Sequence, residues 1–118
     1  MTTKQIGDAA EDVALSFLET NGLQCIERNF SCRMGEIDLI MLDDQALVFV
    51  EVRLRSNPHH GSGADTVTVS KMRKIIRTAE FYLQSRPVPN NLDYRFDVIS
   101  MDNNIDWIQS AFTLDSIR

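Results

Sequence analysis

Paired carboxylates are the feature of this sequence that most directly predicts chemistry. Asp38 and Glu51 lie in two β-rich runs on either side of a polar turn at residues 43–45. If Asp44 and Gln45 are the central residues of a hairpin turn, antiparallel partners have numbers that sum to 89. Asp38 then lies directly opposite Glu51. Because opposed Cβ atoms are about 5 Å apart, the two carboxylates are expected to be neighbours.

Such a pair needs something to offset its repulsion. Two carboxylates about 4 Å apart repel by roughly 4 kcal/mol at an effective dielectric near 20. A bound Mg²⁺ between them removes this cost, because Mg²⁺ prefers oxygen ligands. Alternatively, Arg53 or Arg55, which share a strand face with Glu51, neutralises the pair as an ordinary cross-strand ion pair. The spacing alone leaves both interpretations open.

A third carboxylate, Glu11, lies in a helix predicted from the apolar periodicity over about residues 4–20. At about 100° per residue, Glu11 falls on the flank of the apolar stripe, near Ala14 and Leu18. It is therefore expected to face along the sheet. The alternative is a half-buried helix carboxylate that forms a capping box with Asp8.

Positive charge is concentrated in one part of the chain, although the net charge is −5. Residues 53–86 carry seven basic and two acidic side chains, so this segment has a charge of +5 and the rest carries −10. Its basic residues are Arg53, Arg55, Lys71, Arg73, Lys74, Arg77 and Arg86. A basic segment in an acidic protein indicates a directed anionic ligand, and a solvated helix face is the alternative.

Several of these cations open a second helix, predicted to begin after an N-cap at Ser70 and to stop at Pro87 and Pro89. Cations in a first turn are unfavourable by some tenths of a kcal/mol each, and a bound phosphate would offset that cost. The predicted nucleic-acid contacts are Arg55, Lys71, Arg73, Lys74 and Arg77. The alternative is that these residues only increase solubility.

The remaining elements must hold these groups in place. A weak strand is expected over residues 23–29, followed by a polar connection at 30–34 and the hairpin strands 35–42 and 46–55. A polar loop at 56–63, with His59 and His60, precedes the second helix, and strands follow at 94–101 and 105–112. The order is αβββαββ, and the strand–helix–strand step predicts parallel neighbours in a mixed sheet covered by helices.

Length and composition restrict the class of protein. The 118 residues, 43% of them hydrophobic and 25% charged, suit a single globular domain over 1–118. No run approaches the ~20 apolar residues of a membrane span, and the N-terminus has no signal-peptide pattern. Cys25 and Cys32 form neither a disulfide framework nor a zinc motif. We therefore expect a cytoplasmic protein that does not associate with membranes.

A set of motifs that covers nearly the whole chain resembles the bacterial YraN family. The motifs are Gly7-Asp8-x-x-Glu11, Gly35-Glu36-Ile37-Asp38-Leu39-Ile40, Phe49-Val50-Glu51-Val52-Arg53-x-Arg55, Lys71, Arg95-Phe96-Asp97-Val98-Ile99 and Ala111-Phe112. That family is similar to the restriction-endonuclease-like, or PD-(D/E)XK, nucleases and to archaeal Holliday-junction resolvases. The resemblance implies a restriction-endonuclease-like α/β fold, with a mixed β-sheet flanked by helices.

The resemblance also implies a site. Glu11, Asp38 and Glu51 correspond to ligands of Mg²⁺ or Mn²⁺, with the Val52 carbonyl as a fourth ligand, and Arg53 takes the position of the usual active-site lysine. Lysine can orient or deprotonate an attacking water, whereas arginine stays protonated and can only hold charge. Arg53 could still stabilise the phosphate in the transition state.

The sequence therefore predicts a Mg²⁺-dependent endonuclease that acts on DNA, including structured or branched DNA. A nucleic-acid-binding module that does not cleave efficiently is the alternative, and a partner-binding protein with a purely structural acid pair is a third. The choice between DNA and RNA stays open, as does the oligomeric state, with a homodimer as one option. Asp97 is expected to pair with a cation of the second helix rather than with Arg95, on the reasoning that neighbouring strand residues face opposite ways.

Overall fold

A computed structural model of the protein describes residues 1–55, 67–86 and 92–117. The helices are α1 (Thr3–Thr20) and α2 (Val69–Ser85), and a short 3-10 helix covers Leu114–Ile117. The strands are β1 (Gln24–Cys32), β2 (Gly35–Asp43), β3 (Ala46–Leu54), β4 (Asp93–Met101) and β5 (Ile105–Phe112). The predicted loop at 56–63 with its two histidines, and the two prolines expected to stop the second helix, lie outside the described residues.

The strands form one five-stranded sheet in the order β1-β2-β3-β4-β5. Neighbours are antiparallel except for β3 and β4, which are parallel and joined through α2. The predicted strand–helix–strand step and the order αβββαββ are thus confirmed, and with them the mixed sheet of the restriction-endonuclease-like fold class. Neither α1 nor α2 is long and apolar enough to cross a membrane, and the same holds for the 3-10 helix.

The alternation of side chains along the strands places one helix on each face of the sheet. In β3, Val48 and Val50 pack in a cluster with Leu18 of α1. Phe49, between them, packs in the second cluster with Ile76 of α2. Because successive strand residues face opposite ways, α1 and α2 cover opposite faces.

The first strand is longer than predicted. Phe30 was expected to begin a polar connection, but β1 continues to Cys32, and only Arg33 and Met34 form the turn into β2. Phe30 is buried on the α2 face, where its ring makes an edge contact with Tyr82 at 5.1 Å between centroids. The burial of this one aromatic ring extends the strand beyond the polar residues that suggested its end.

The second helix begins two residues earlier than the Ser70 cap implies. Thr68 is the N-cap, and its hydroxyl accepts a hydrogen bond from the Lys71 N–H at 3.1 Å. The predicted cap at Ser70 is wrong, because Ser70 already lies inside the first turn. Either hydroxyl satisfies the sequence pattern for a cap, and only the backbone geometry selects between them.

The predicted pairing of Asp97 with the second helix is also wrong. Asp97 is fully buried and accepts hydrogen bonds from Arg95 Nε at 3.0 Å, Trp107 Nε1 at 2.9 Å and the Ser110 N–H at 3.0 Å. Arg95 and Asp97 are two residues apart and therefore share a strand face. The β4–β5 register shifts between Phe96 and Val98, so this carboxylate anchors β5 at an irregular point of the sheet.

Candidate functional site

The pairing of β2 with β3 follows the register that the turn predicts. Leu39 pairs with Val50, and Asp43 pairs with Ala46, so partner numbers sum to 89 along the observed ladder. Beyond Leu39, the Asp38 carboxylate accepts a hydrogen bond from the Val52 N–H at 2.8 Å. The charge of Asp38 also raises the pKa of Glu51, so the two acids are neighbours. The registered ladder ends at Leu39 and Val50, and Asp38 and Glu51 are therefore not the directly opposed pair that the turn predicts.

A local irregularity turns Asp38 towards the end of β3. Ile37 packs on the α2 face and Leu39 packs on the α1 face, although residues two apart normally share a face. The alternation is therefore interrupted at Asp38. Asn29, which lies across from Asp38 between two paired positions of β1, has a φ of 53°. Both strands thus depart from regular geometry at the position that presents the carboxylate.

Glu51 has the most perturbed environment of the three acids. Its side chain is only 7% exposed. Burial, followed by the charge of Asp38, raises the pKa of Glu51 from 4.5 to about 8, and the positive charges of Lys71 and Arg53 oppose the rise. The raised pKa favours a proton shared by the Asp38–Glu51 pair at neutral pH over two adjacent negative charges.

Glu11 approaches this pair from α1. Its side chain is 13% exposed, and one guanidinium nitrogen of Arg28 lies 3.8 Å from Oε1. Burial and the charge of Asp38 raise the pKa of Glu11, while Arg28 lowers it. Oε1 is buried and has no hydrogen-bond partner among the described residues. A carboxylate oxygen left in this state suits coordination of a cation better than a purely structural role.

The capping box that the alternative assigned to Glu11 and Asp8 is not the one that the structure forms. The capping box of α1 is formed by Thr2 and Gln5, which exchange side-chain and backbone hydrogen bonds. Asp8 instead forms an exposed ion pair with Lys4 at 3.5 Å. The flank position that the helical periodicity predicted for Glu11 is the one observed, because Ala14 and Leu18 beside it are fully buried.

One cavity brings the predicted metal ligands together. Glu11, Asp38, Glu51 and Val52 line a cavity of about 210 Å³, together with Gly7, Ala10 and Leu54. The two small residues of α1 leave space in front of the acids. In the part of the chain that the structure describes, no three Asp, Glu, His or Cys side chains are close enough to hold a metal as they stand. Binding a cation would therefore require the carboxylates to draw closer together.

A cation from α2 lies beside Glu51. Lys71 Nζ lies 3.8 Å from Glu51 Oε2, and the lysine side chain is 39% exposed. The sequence placed Lys71 among the nucleic-acid contacts and missed this proximity. Choosing Thr68 instead of Ser70 as the N-cap would have helped to predict this proximity, because the cap sets which residues of the first turn lie near β3.

The glycine that opens the Gly-Glu-Ile-Asp motif lets α2 lie close to β2. A Cβ at Gly35 would lie 3.0 Å from Thr78 Oγ1 and 3.5 Å from Lys74 Cβ. Gly35 also has a φ of 151°, which L side chains rarely adopt. This close contact fixes α2 over β2 and so sets how near Lys71 comes to the acids.

The other predicted basic contacts are distributed rather than clustered. Arg53 is half-buried on β3 and lies near enough to Glu51 to lower its pKa. Arg55 follows β3, and its N–H donates to the Met101 carbonyl at 2.7 Å. Arg73 donates to the Ile117 carbonyl at 3.1 Å, at the 3-10 helix. Lys74 and Arg77 lie on the exposed surface of α2.

Comparison with known proteins identifies relatives that are similar in sequence to this chain. The sequence model of the family described as "Uncharacterised protein family UPF0102" matches residues 10–101. UPF0102 proteins of Vibrio parahaemolyticus and Legionella pneumophila are each 44% identical over 113 residues, which cover 93% of this chain and 93% and 96% of theirs. A UPF0102 protein of Nitrosococcus oceani is 39% identical over 120 residues, which cover 98% of this chain and 97% of that protein.

Proposed function

The chain belongs to the UPF0102, or YraN, family, as its motifs predict, and we propose that it is a metal-dependent endonuclease that hydrolyses phosphodiester bonds in DNA. The observation that carries the proposal is the cavity in which Glu11, Asp38 and Glu51 meet the main chain of Val52. These residues come from α1, β2 and β3, which are far apart in sequence. Packing three acids around one space has a cost that a bound cation would offset.

The residues of this cavity fit a hard divalent cation. In the proposal, the three carboxylates and the Val52 carbonyl hold Mg²⁺ or Mn²⁺, both of which favour oxygen ligands. Two observations support this assignment: Oε1 of Glu11 has no hydrogen-bond partner among the described residues, and the charge of Asp38 raises the pKa of Glu51, a repulsion that a bound cation would offset. When bound, such a metal supplies an activated water and stabilises charge on the phosphate.

The chain's own side chains do the remaining work. Lys71 and Arg53 place positive charge beside Glu51, where the phosphate of a substrate would lie. Arg53 stays protonated and stabilises negative charge on the phosphate. Arg53 stands where such nucleases usually have a lysine. In the proposal, Lys71 supplies the missing amine from α2. Gly7 and Ala10, which are small residues, leave space in the cavity for the phosphate group that is cleaved.

The experiment that tests this proposal is a cleavage assay with Mg²⁺ and with Mn²⁺. Linear, single-stranded and branched DNA should be offered to the parent protein and to Glu51→Ala. We expect metal-dependent products with the parent and none with Glu51→Ala, because the site cannot position its metal without that carboxylate. Equal cleavage by both proteins would reveal a contaminating nuclease and contradict the proposal.

A nucleic-acid-binding module without efficient cleavage is the second candidate, and Arg53 in place of lysine favours it. Arg53→Lys separates the two functions. If the protein is a nuclease, Arg53→Lys should keep or raise the cleavage rate, and Arg53→Ala should lose it. If the parent binds DNA but cleaves nothing with either metal, the binding module is the correct function, and Arg53→Lys gains a trace of activity at most.

A further inference from the structure

One flank of α2 connects the acidic cavity to an exposed aromatic ring. Lys71 reaches Glu51, Lys74 and Thr78 lie against Gly35, and Phe81 lies beside Phe30 with 6.4 Å between ring centroids. Residues three and four apart follow one another along the same side of a helix. At 1.5 Å per residue, the row from residue 71 to residue 81 is roughly 15 Å long. We name this row (Lys71, Lys74, Thr78 and Phe81) the α2 flank.

The helix that carries the α2 flank is positively charged. Four basic residues and one acidic residue give α2 a charge of +3. The helix on the other face of the sheet, α1, has one basic and four acidic residues and a charge of −3. Lys74 and Arg77 are exposed. A polyanion that reaches the cavity is therefore attracted along α2 and repelled along α1.

The far end of the α2 flank offers an aromatic surface. Phe81 is 42% exposed, so part of its ring is open to a ligand. Phe30, which is buried, lies beneath it, and the guanidinium of Arg86 lies 5.4 Å from the centroid of the Phe30 ring while it pairs with Glu27 at 3.4 Å. The cations of the flank are therefore Lys71 and Lys74. An exposed ring on the same side of a helix as two lysines suits single-stranded nucleic acid, because a base stacks on the ring while phosphates contact the cations.

We infer that the α2 flank binds a single-stranded segment of nucleic acid, with its phosphates along Lys71 and Lys74 and a base stacked on Phe81. A single strand is favoured because only an unpaired base presents its face for stacking, whereas bases inside a duplex are stacked on each other. The statement that this segment leads to the bond that is cleaved rests on the proposed function. The binding itself does not depend on cleavage.

The test is a binding titration with a fluorescent 20-nucleotide single strand and with a duplex of the same sequence, in EDTA. Phe81→Leu keeps an apolar side chain but removes the ring, and it should weaken single-strand binding by about 5- to 150-fold. Duplex binding should change by less than about twofold. Phe81→Trp should retain the parent's affinity for the single strand, because it restores a ring on which a base can stack.

Tyr94→Leu is the matched control. Tyr94 is 45% exposed and pairs with Leu47, at the end of the parallel β3–β4 pair opposite to Glu51. Its replacement should leave single-strand binding unchanged. The inference is overturned if Phe81→Leu binds the single strand as the parent does, if it loses both substrates equally, or if the parent binds no single strand.

The inference and the proposed function fail in different ways. If single-strand binding depends on Phe81 but the protein cleaves nothing with Mn²⁺, the binding role of the α2 flank is supported and the nuclease function is contradicted. Metal-dependent cleavage that is lost in Glu51→Ala but unaffected by Phe81→Leu, with equal affinity for both DNAs, supports the nuclease and overturns the role of Phe81.

Discussion

At the scale of single residues, the acid pair shows how far spacing predicts chemistry. The turn at Asp44 and Gln45 was enough to place Asp38 near Glu51, because antiparallel pairing leaves one register for a given turn. The hydrogen bond from the Val52 N–H to Asp38 could not be predicted, because it depends on an interruption of the strand that no residue type announces. The proximity of Lys71 was missed for a related reason, since it depends on how two distant elements pack.

The raised pKa of Glu51 predicts how stability depends on pH. Its pKa is about 8 in the folded protein and near 4.5 in the unfolded chain, so between these values only the folded state holds the proton. The free energy of unfolding should therefore fall as pH rises from about 5 to 8, by up to about 1.4 kcal/mol per pH unit. Urea unfolding in EDTA at several pH values measures this slope.

Glu51→Gln keeps the shape of the side chain and removes the titration. We expect this variant to lose the decline and to exceed the parent in stability at pH 8. Glu36→Gln, at an exposed position of β2, is the matched control and should retain the parent's slope. A parent whose stability is constant across this range, or a Glu51→Gln protein with the same decline, would contradict the buried proton.

At the scale of elements, the existence of α2 was easier to predict than the residue at which it begins. Ile75, Ile76 and Ala79, which are spaced as on one side of a helix, are buried. The start of the helix was misplaced because Thr68 and Ser70 both offer a capping hydroxyl. The prediction ended β1 too early because the residues around Phe30 are polar. The strand continues because the Phe30 ring packs against Tyr82 of α2. In each case the missing information is a contact between elements.

The two hydroxyls at the start of α2 provide a direct test. Thr68→Ala removes the hydrogen bond to the Lys71 N–H and should lower the free energy of unfolding by about 0.5–2 kcal/mol. Ser70→Ala changes an exposed residue inside the helix and should shift it by less than about 0.5 kcal/mol. Urea denaturation of both variants makes the comparison, and a larger loss for Ser70→Ala would contradict the assigned cap.

At the scale of the whole molecule, the sequence predicted a basic side on an acidic protein, and the fold explains where that side lies. The order of elements and the parallel β3–β4 pair followed from the pattern of strands and helices. The sequence alone did not show that α1 and α2, with charges of −3 and +3, cover opposite faces of the sheet. That separation follows from the alternation of β3, because each of its faces carries apolar side chains that a helix must cover.

This charge separation predicts that the salt dependence of DNA binding arises from the α2 face of the sheet. Binding of DNA should weaken steeply with salt, and Lys71→Ala with Lys74→Ala should reduce the slope of log affinity against log salt by about one unit per lost phosphate contact. Lys4→Ala, on the acidic helix, should leave the slope unchanged. An equal reduction by Lys4→Ala, or binding that does not depend on salt, would contradict a nucleic-acid surface on α2.

The central claim, that three carboxylates form a metal site, is tested most directly by crystals soaked in Mn²⁺. The expected result is anomalous density in the cavity lined by Glu11, Asp38 and Glu51, within coordinating distance of their oxygens. Crystals of Asp38→Asn, soaked in the same way, should lack that density while keeping the fold. A parent crystal whose cavity shows no anomalous density after the soak would contradict the claim.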